Sequence, residues 1–131
     1  MSEQPDKRPG FIRARLRSFV YAWRGVVVLV LTQGNALVHL AASIAVVVAG
    51  FYFKVTAGEW CALILSMAAV WVSEGINTAI EALADRITTE NDDLIQRAKD
   101  VAAGAVLLAA IAAAAVGVIV FGPRALEFFV K

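Results

Sequence analysis

Three acids and an amide share one short stretch, SEGINTAIEALADRI, from Ser73 to Ile87. They are Glu74, Asn77, Glu81 and Asp85. On a helix they fall at about 0°, 300°, 340° and 20°, one wedge about 80° wide and about 16 Å long. Carboxylates so arranged can take a proton from a hydroxyl or hold a hard cation such as Mg²⁺, which takes oxygen ligands. The wedge continues directly out of WCALILSMAAVWV, which carries no charge. Intramembrane acids are costly and nearly always face a bundle interior or a wet cavity, because lipid cannot solvate them. For Glu74, three residues after Trp71, function is the better reading. Asp85, beside Arg86, serves as readily as a solvated acid at headgroup level.

A second polar cluster follows, Arg97, Lys99 and Asp100, leading into the small-residue run AAGA. A lysine is a point charge suited to phosphate, and a nearby carboxylate can hold a metal or a ribose. Alone this cluster says little, since charges at a helix mouth are commonplace.

The elements that must position these groups are helical and membrane-bound. The chain has 131 residues, 60% hydrophobic and 18% charged, with mean hydropathy +0.74. Soluble domains carry about 25% charged residues. The length fits one domain. A net charge of +1 gives no field pointing to nucleic acid. The single cysteine, Cys61, forms no internal disulfide and no zinc pattern. No cleavable signal peptide is expected, because the first long apolar run follows an Arg-rich leader and no small-residue site closes it.

Residues 1–10 read as a disordered tail. From residue 11 to 31 an amphipathic helix is expected, with Ile12, Leu16, Phe19, Val20 and Trp23 on one stripe and arginines beside it. Such a helix suits the headgroup plane. Gly25 to Phe53 carries no charge, yet as one helix it would reach about 43 Å against a hydrocarbon core of about 30 Å. TQGN at Thr32–Asn35 is read as dividing it, with one long tilted helix as the other reading, so spans are expected over residues 36–53, 60–87 and 98–122. Pro123 is expected to end the last one, which is rich in Ala and Gly and suited to close helix packing. Nine of the twelve basic residues fall on the side of the leader and the second loop. That side is expected to be cytoplasmic.

Two motifs then carry a resemblance. EGINTAIEALAD and AKDVAAGAV, with SFVYAWRG and T-x-x-N-x-x-x-H upstream, resemble the prokaryotic diacylglycerol kinase family across roughly residues 11–122. That family includes diacylglycerol kinases of Gram-negative bacteria and undecaprenol kinases of Gram-positive ones. The resemblance implies an all-α integral-membrane lipid kinase: an interfacial amphipathic helix plus three transmembrane helices, assembled as a homotrimer in the bacterial cytoplasmic membrane. It implies transfer of the γ-phosphate of Mg-ATP to a lipid hydroxyl, of diacylglycerol or undecaprenol. By matching positions, Glu74 resembles the general base, with Asn77 beside it, and Glu81 a ligand to Mg²⁺. Lys99, Asp100, Glu90, Asp92 and Tyr21 resemble nucleotide contacts. The family usually has Glu in T-E-x-N, where this chain has Gln33; an amide oxygen there coordinates metal without adding charge. His39 is expected to be a packing or interface residue.

Two other readings stand beside the kinase. Intramembrane acids could serve an ion or proton relay, which leaves the AKD segment without a role. A non-catalytic homologue would bind nucleotide without turnover.

Overall fold

The computed structural model describes residues 10–32, 34–88 and 90–130. They form α1 (Phe11–Thr32), α2 (Gly34–Tyr52), α3 (Ala57–Ile87) and α4 (Asp93–Val130). Three of these, α2, α3 and α4, are long and apolar enough to cross a membrane. Large apolar side chains such as Leu65, Val72, Leu108 and Ile119 point outward and are exposed. So apolar an exterior matches hydrocarbon. The residue where a metal-binding amide was expected, Gln33, lies outside the described residues.

Each helix boundary has a local cause. α2 ends in a turn where Lys54 adopts φ 51°, the left-handed region. Val55 N–H donates to Gly50 O at 3.1 Å and Lys54 N–H to Phe51 O at 3.3 Å, so both late carbonyls are satisfied. α3 opens on a capping box: Glu59 N–H donates to Thr56 Oγ1, and Thr56 N–H donates to Glu59 Oε2 at 2.7 Å. α4 opens on Asp92, whose Oδ1 accepts from Leu94 N–H at 2.8 Å and Ile95 N–H at 3.0 Å. That cap starts the helix at Asp93, ahead of the expected residue 98.

Pro123 does not end α4, contrary to expectation; the helix continues to Val130. A proline removes one backbone donor and crowds the preceding turn, but here the turn is held from outside. The Arg124 guanidinium donates to Val120 O at 2.6 Å and forks onto both Glu59 oxygens at 2.9 Å. A bidentate arginine–carboxylate pair has the directionality to fix such a turn.

α3 packs mainly on α4, with α2 against α3 and α1 against both α2 and α3. Beside the α2–α3 turn Val55, Leu63 and Val120 form a small buried core, flanked by Val46, Phe53, Trp60, Val116 and Phe121. Gly50 makes this packing close: a Cβ there would stand 2.6 Å from Trp60 Cη2. The Trp60 ring also packs on Phe51, with centroids 5.1 Å apart. Gly50→Ala must displace that ring, and overpacking costs about 1–3 kcal/mol. A lowered midpoint of thermal unfolding in detergent is the expected result.

Candidate active site

The wedge on α3 is graded by depth. Glu74 is 1% exposed and Asn77 6%, Glu81 is half-buried, and the Asp85 side chain is 70% exposed. The order follows from α3 itself, which at 31 residues is about 46 Å long and outruns a hydrocarbon core of about 30 Å. Its charge-free run from Trp60 to Ser73 lies beside α2 and α4, while its acidic half runs toward the α3–α4 loop.

Glu74, Asn77 and Glu81 line one groove of about 330 Å³. Its other walls are Asn35 and His39 of α2 and the small or apolar Ala103, Val106, Leu107 and Ala110 of α4. Asn77 Nδ2 donates to Glu81 Oε1 at 3.1 Å. Glu74 Oε2 and Asn77 Oδ1 are buried and make no hydrogen bond among the described residues, and the same holds for Thr78 Oγ1. A buried polar group left unpaired costs about 1–3 kcal/mol, and a charged one more. Three such atoms within five residues of one helix call for a partner beyond the described residues, whether water, a ligand or another subunit.

Above this groove a wider cleft of about 660 Å³ opens between α3 and α4. Asp85, Glu90, Asp92, Asp93, Gln96 and Lys99 line it with their neighbours. Lys99 Nζ donates to Asp85 Oδ1 at 3.0 Å. Glu90 takes its backbone position from Thr88, whose Oγ1 accepts its N–H at 3.0 Å. Asp92 spends one oxygen on capping α4, as described. Asp100 does not line the cleft; its Oδ1 accepts from Gln96 Nε2 at 2.7 Å.

Tyr21 stands apart from these groups. It lies on α1 in a shallow groove with Arg13, Leu16, Arg17, Val20 and Arg24, and the Arg24 guanidinium sits 6.0 Å from its ring centroid. Two groove residues were not singled out from the sequence as site residues, Asn35 and His39. Their signal was present: in T-x-x-N-x-x-x-H the Asn and His are four apart and share a helix face. His39 does pack, edge-on to Trp71 with centroids 6.4 Å apart, but it also faces Glu74, with Nε2 4.0 Å from Oε2.

The α3 residues of the groove offer oxygen donors, and His39 of α2 adds an imidazole. Among the described residues no three His, Cys, Asp or Glu side chains converge into a metal cage. Mg²⁺ needs none, since one or two carboxylates with substrate phosphates and water complete its shell. Glu81 and the unsatisfied Asn77 Oδ1 beside it are hard donors of that kind.

A family model described as prokaryotic diacylglycerol kinase matches residues 20–121. The chain belongs to the prokaryotic diacylglycerol kinase family. Every site residue discussed above except Arg13, Leu16 and Arg17 falls within the matched residues. Among relatives of this diacylglycerol kinase family chain, an undecaprenol kinase of Bacillus subtilis is 37% identical over 108 residues, 82% of this chain and 88% of the relative. A diacylglycerol kinase of Synechocystis is 40% identical over 116 residues, 88% of this chain and 66% of that longer protein. A diacylglycerol kinase of Escherichia coli is 35% identical over 104 residues, 79% of this chain and 84% of the relative. The relatives are kinases, so membership makes this chain an enzyme and sets the ion relay aside.

Proposed function

We propose that this protein is an ATP-dependent lipid kinase that phosphorylates the hydroxyl of diacylglycerol or undecaprenol at the cytoplasmic face of a bacterial inner membrane. One observation carries the reading: Glu74, a fully buried carboxylate with an unpaired oxygen, lies at the floor of a groove beneath a polar cleft. A base at that depth serves a substrate that arrives through the membrane. A cleft at the loop serves one that arrives from water. Between the level of Asp85 and that of Glu74 lie about 16 Å of helix, the scale of a whole extended nucleoside triphosphate rather than of its phosphates alone.

In this reading the leader and the α3–α4 loop face the cytoplasm, where basic residues concentrate. α1 lies in the headgroup plane with Phe11, Ile12, Leu16, Phe19 and Trp23 toward the acyl region, all of them exposed in the isolated chain. Three copies assemble, as the family resemblance implies, with the sites at subunit interfaces.

The chemistry is a phosphoryl transfer, which asks the protein for position and charge rather than covalent work. Glu74 Oε2 takes the proton of the lipid hydroxyl. The hydroxyl oxygen bonds to the γ-phosphorus as the bond from that phosphorus to the bridging oxygen breaks, and ADP leaves. Asn77 holds Glu81 in place through its amide. Glu81 and Gln33 would hold Mg²⁺, which when bound neutralises phosphate charge. Gln33 brings no charge to that pair, so Glu81 supplies the only formal negative charge. Lys99 meets the polyphosphate, with Glu90 and Asp92 beside it in the cleft; Asp100 and Tyr21, which do not line the cleft, keep the nucleotide role that the resemblance implies.

The deciding experiment offers radiolabelled ATP with diacylglycerol and with undecaprenol, separately, in mixed micelles. Label is expected in the lipid phase with at least one acceptor. Transfer to neither overturns the reading, and the better acceptor names the substrate.

A further inference from the structure

His39 is held in place by two helices. One turn further along α2, Ser43 Oγ accepts from Trp71 Nε1 at 3.1 Å, which fixes the indole of α3 against α2. The imidazole of His39 rests edge-on against that indole. Trp71 and Glu74 are three apart on α3, and His39 and Ser43 four apart on α2, so each pair shares its own helix face. The four residues form a closed square, and its fourth side is the gap between His39 Nε2 and Glu74 Oε2.

That gap measures 4.0 Å. It is too long for a hydrogen bond, which for these atoms ends near about 3.2 Å. It is the right width for one shared oxygen. An oxygen about 2.8 Å from each group would subtend an angle of about 90°, close to that between an O–H bond and a lone pair. Glu74 Oε2 is also an atom without a hydrogen bond in the described residues. His39 and Glu74 line the same groove, so an entering hydroxyl meets both.

We infer that His39 is a catalytic residue of this site: its Nε2–H hydrogen-bonds the oxygen of the acceptor hydroxyl while Glu74 Oε2 accepts that hydroxyl's proton. The inference rests on the lipid-kinase reading above. The donor stabilises the negative charge that grows on the attacking oxygen as its proton departs, and it aims a lone pair away from Glu74 toward the phosphorus. The proton goes to Glu74, the new bond is from lipid oxygen to the γ-phosphorus of the nucleoside triphosphate, and the nucleoside diphosphate carries away the broken bond's electrons. Preorganised donors of this type are most effective where water is excluded.

Two substitutions separate this role from packing. His39→Phe keeps an aromatic ring for Trp71 and removes the donor; His39→Gln removes the ring and keeps an N–H. With ATP and each lipid varied in mixed micelles, His39→Phe is expected to lower kcat about 10²-fold, the loss typical of one such donor, with KM for ATP unchanged. His39→Gln is expected to recover at least about tenfold of that loss. If His39→Phe does not fold, His39→Leu against His39→Gln makes the same comparison. A kcat for the Phe variant equal to that of the unaltered chain, or equal impairment of the Phe and Gln variants, overturns the role of His39 alone. Absence of transfer by the unaltered chain overturns the kinase reading and this role together.

Discussion

Glu74→Gln is expected to abolish phosphate transfer while leaving ATP affinity where it is. The amide matches the carboxylate in size, so the groove keeps its shape, but it cannot take a proton. Loss of a general base costs about 10²–10⁴ in rate, which places the variant at or near background. In the proposed reading ATP is held where Lys99 of α4 meets Asp85, about 16 Å further along α3 than Glu74, so its affinity is not expected to move. Stability gives the second half of the test. Glu74 is 1% exposed with one oxygen that makes no hydrogen bond among the described residues, and a buried polar group without a hydrogen bond is destabilising. Replacing it by a neutral amide is expected to leave the thermal midpoint unchanged or raised. Site residues that are suboptimal for folding commonly behave this way. Undiminished turnover in this variant would remove Glu74 as the base.

Lys99→Ala is expected to act on the other substrate. Among the described residues Lys99 is the one cation lining the upper cleft, against Asp85, Glu90, Asp92 and Asp93. Without it four carboxylates face a polyphosphate with no positive charge between them, and like-charge juxtaposition is costly. The expected result is a KM for ATP raised about tenfold or more, a loss of about 1.4 kcal/mol or greater, with KM for lipid little changed. Stability is expected to hold, because the pair with Asp85 is substantially exposed and such pairs contribute about 0–1 kcal/mol. A variant that lost lipid affinity alone would contradict the assignment of Lys99 to the nucleotide.

The three helices long and apolar enough to span a membrane were legible because hydropathy reports them directly: charge-free runs fill most of α2, the middle of α3 and much of α4, the first of them beginning already in α1. Side-chain type also showed that Glu74, Asn77 and Glu81 share a face. Depth was legible only in part: the apolar run before Glu74 and the Arg86 beside Asp85 pointed to it, but a helical wheel assigns angle and says nothing about burial. The same wedge holds a fully buried Glu74 and an Asp85 that reaches out to Lys99. The continuation of α4 past Pro123 was hidden for a related reason. What holds that turn is Arg124 reaching Glu59 on another helix, a contact distant in sequence. His39 was read as packing because a lone histidine has no partner in the primary sequence; its partners, Trp71 and Glu74, come from a different helix.

The contacts that tie α3 to α4 can also be read as a measuring device. Glu59 holds Arg124 near one end of the pair, and Asp85 holds Lys99 near the other. A slip of one residue between the rods, about 1.5 Å, would spoil the two-pronged fit at Arg124 before it much disturbed the single-pronged one at Lys99. The stricter contact lies far from the cleft and acts as the zero mark of a ruler. The graduation it sets is the height of Lys99 above Glu74, and so the length of anything that must touch both.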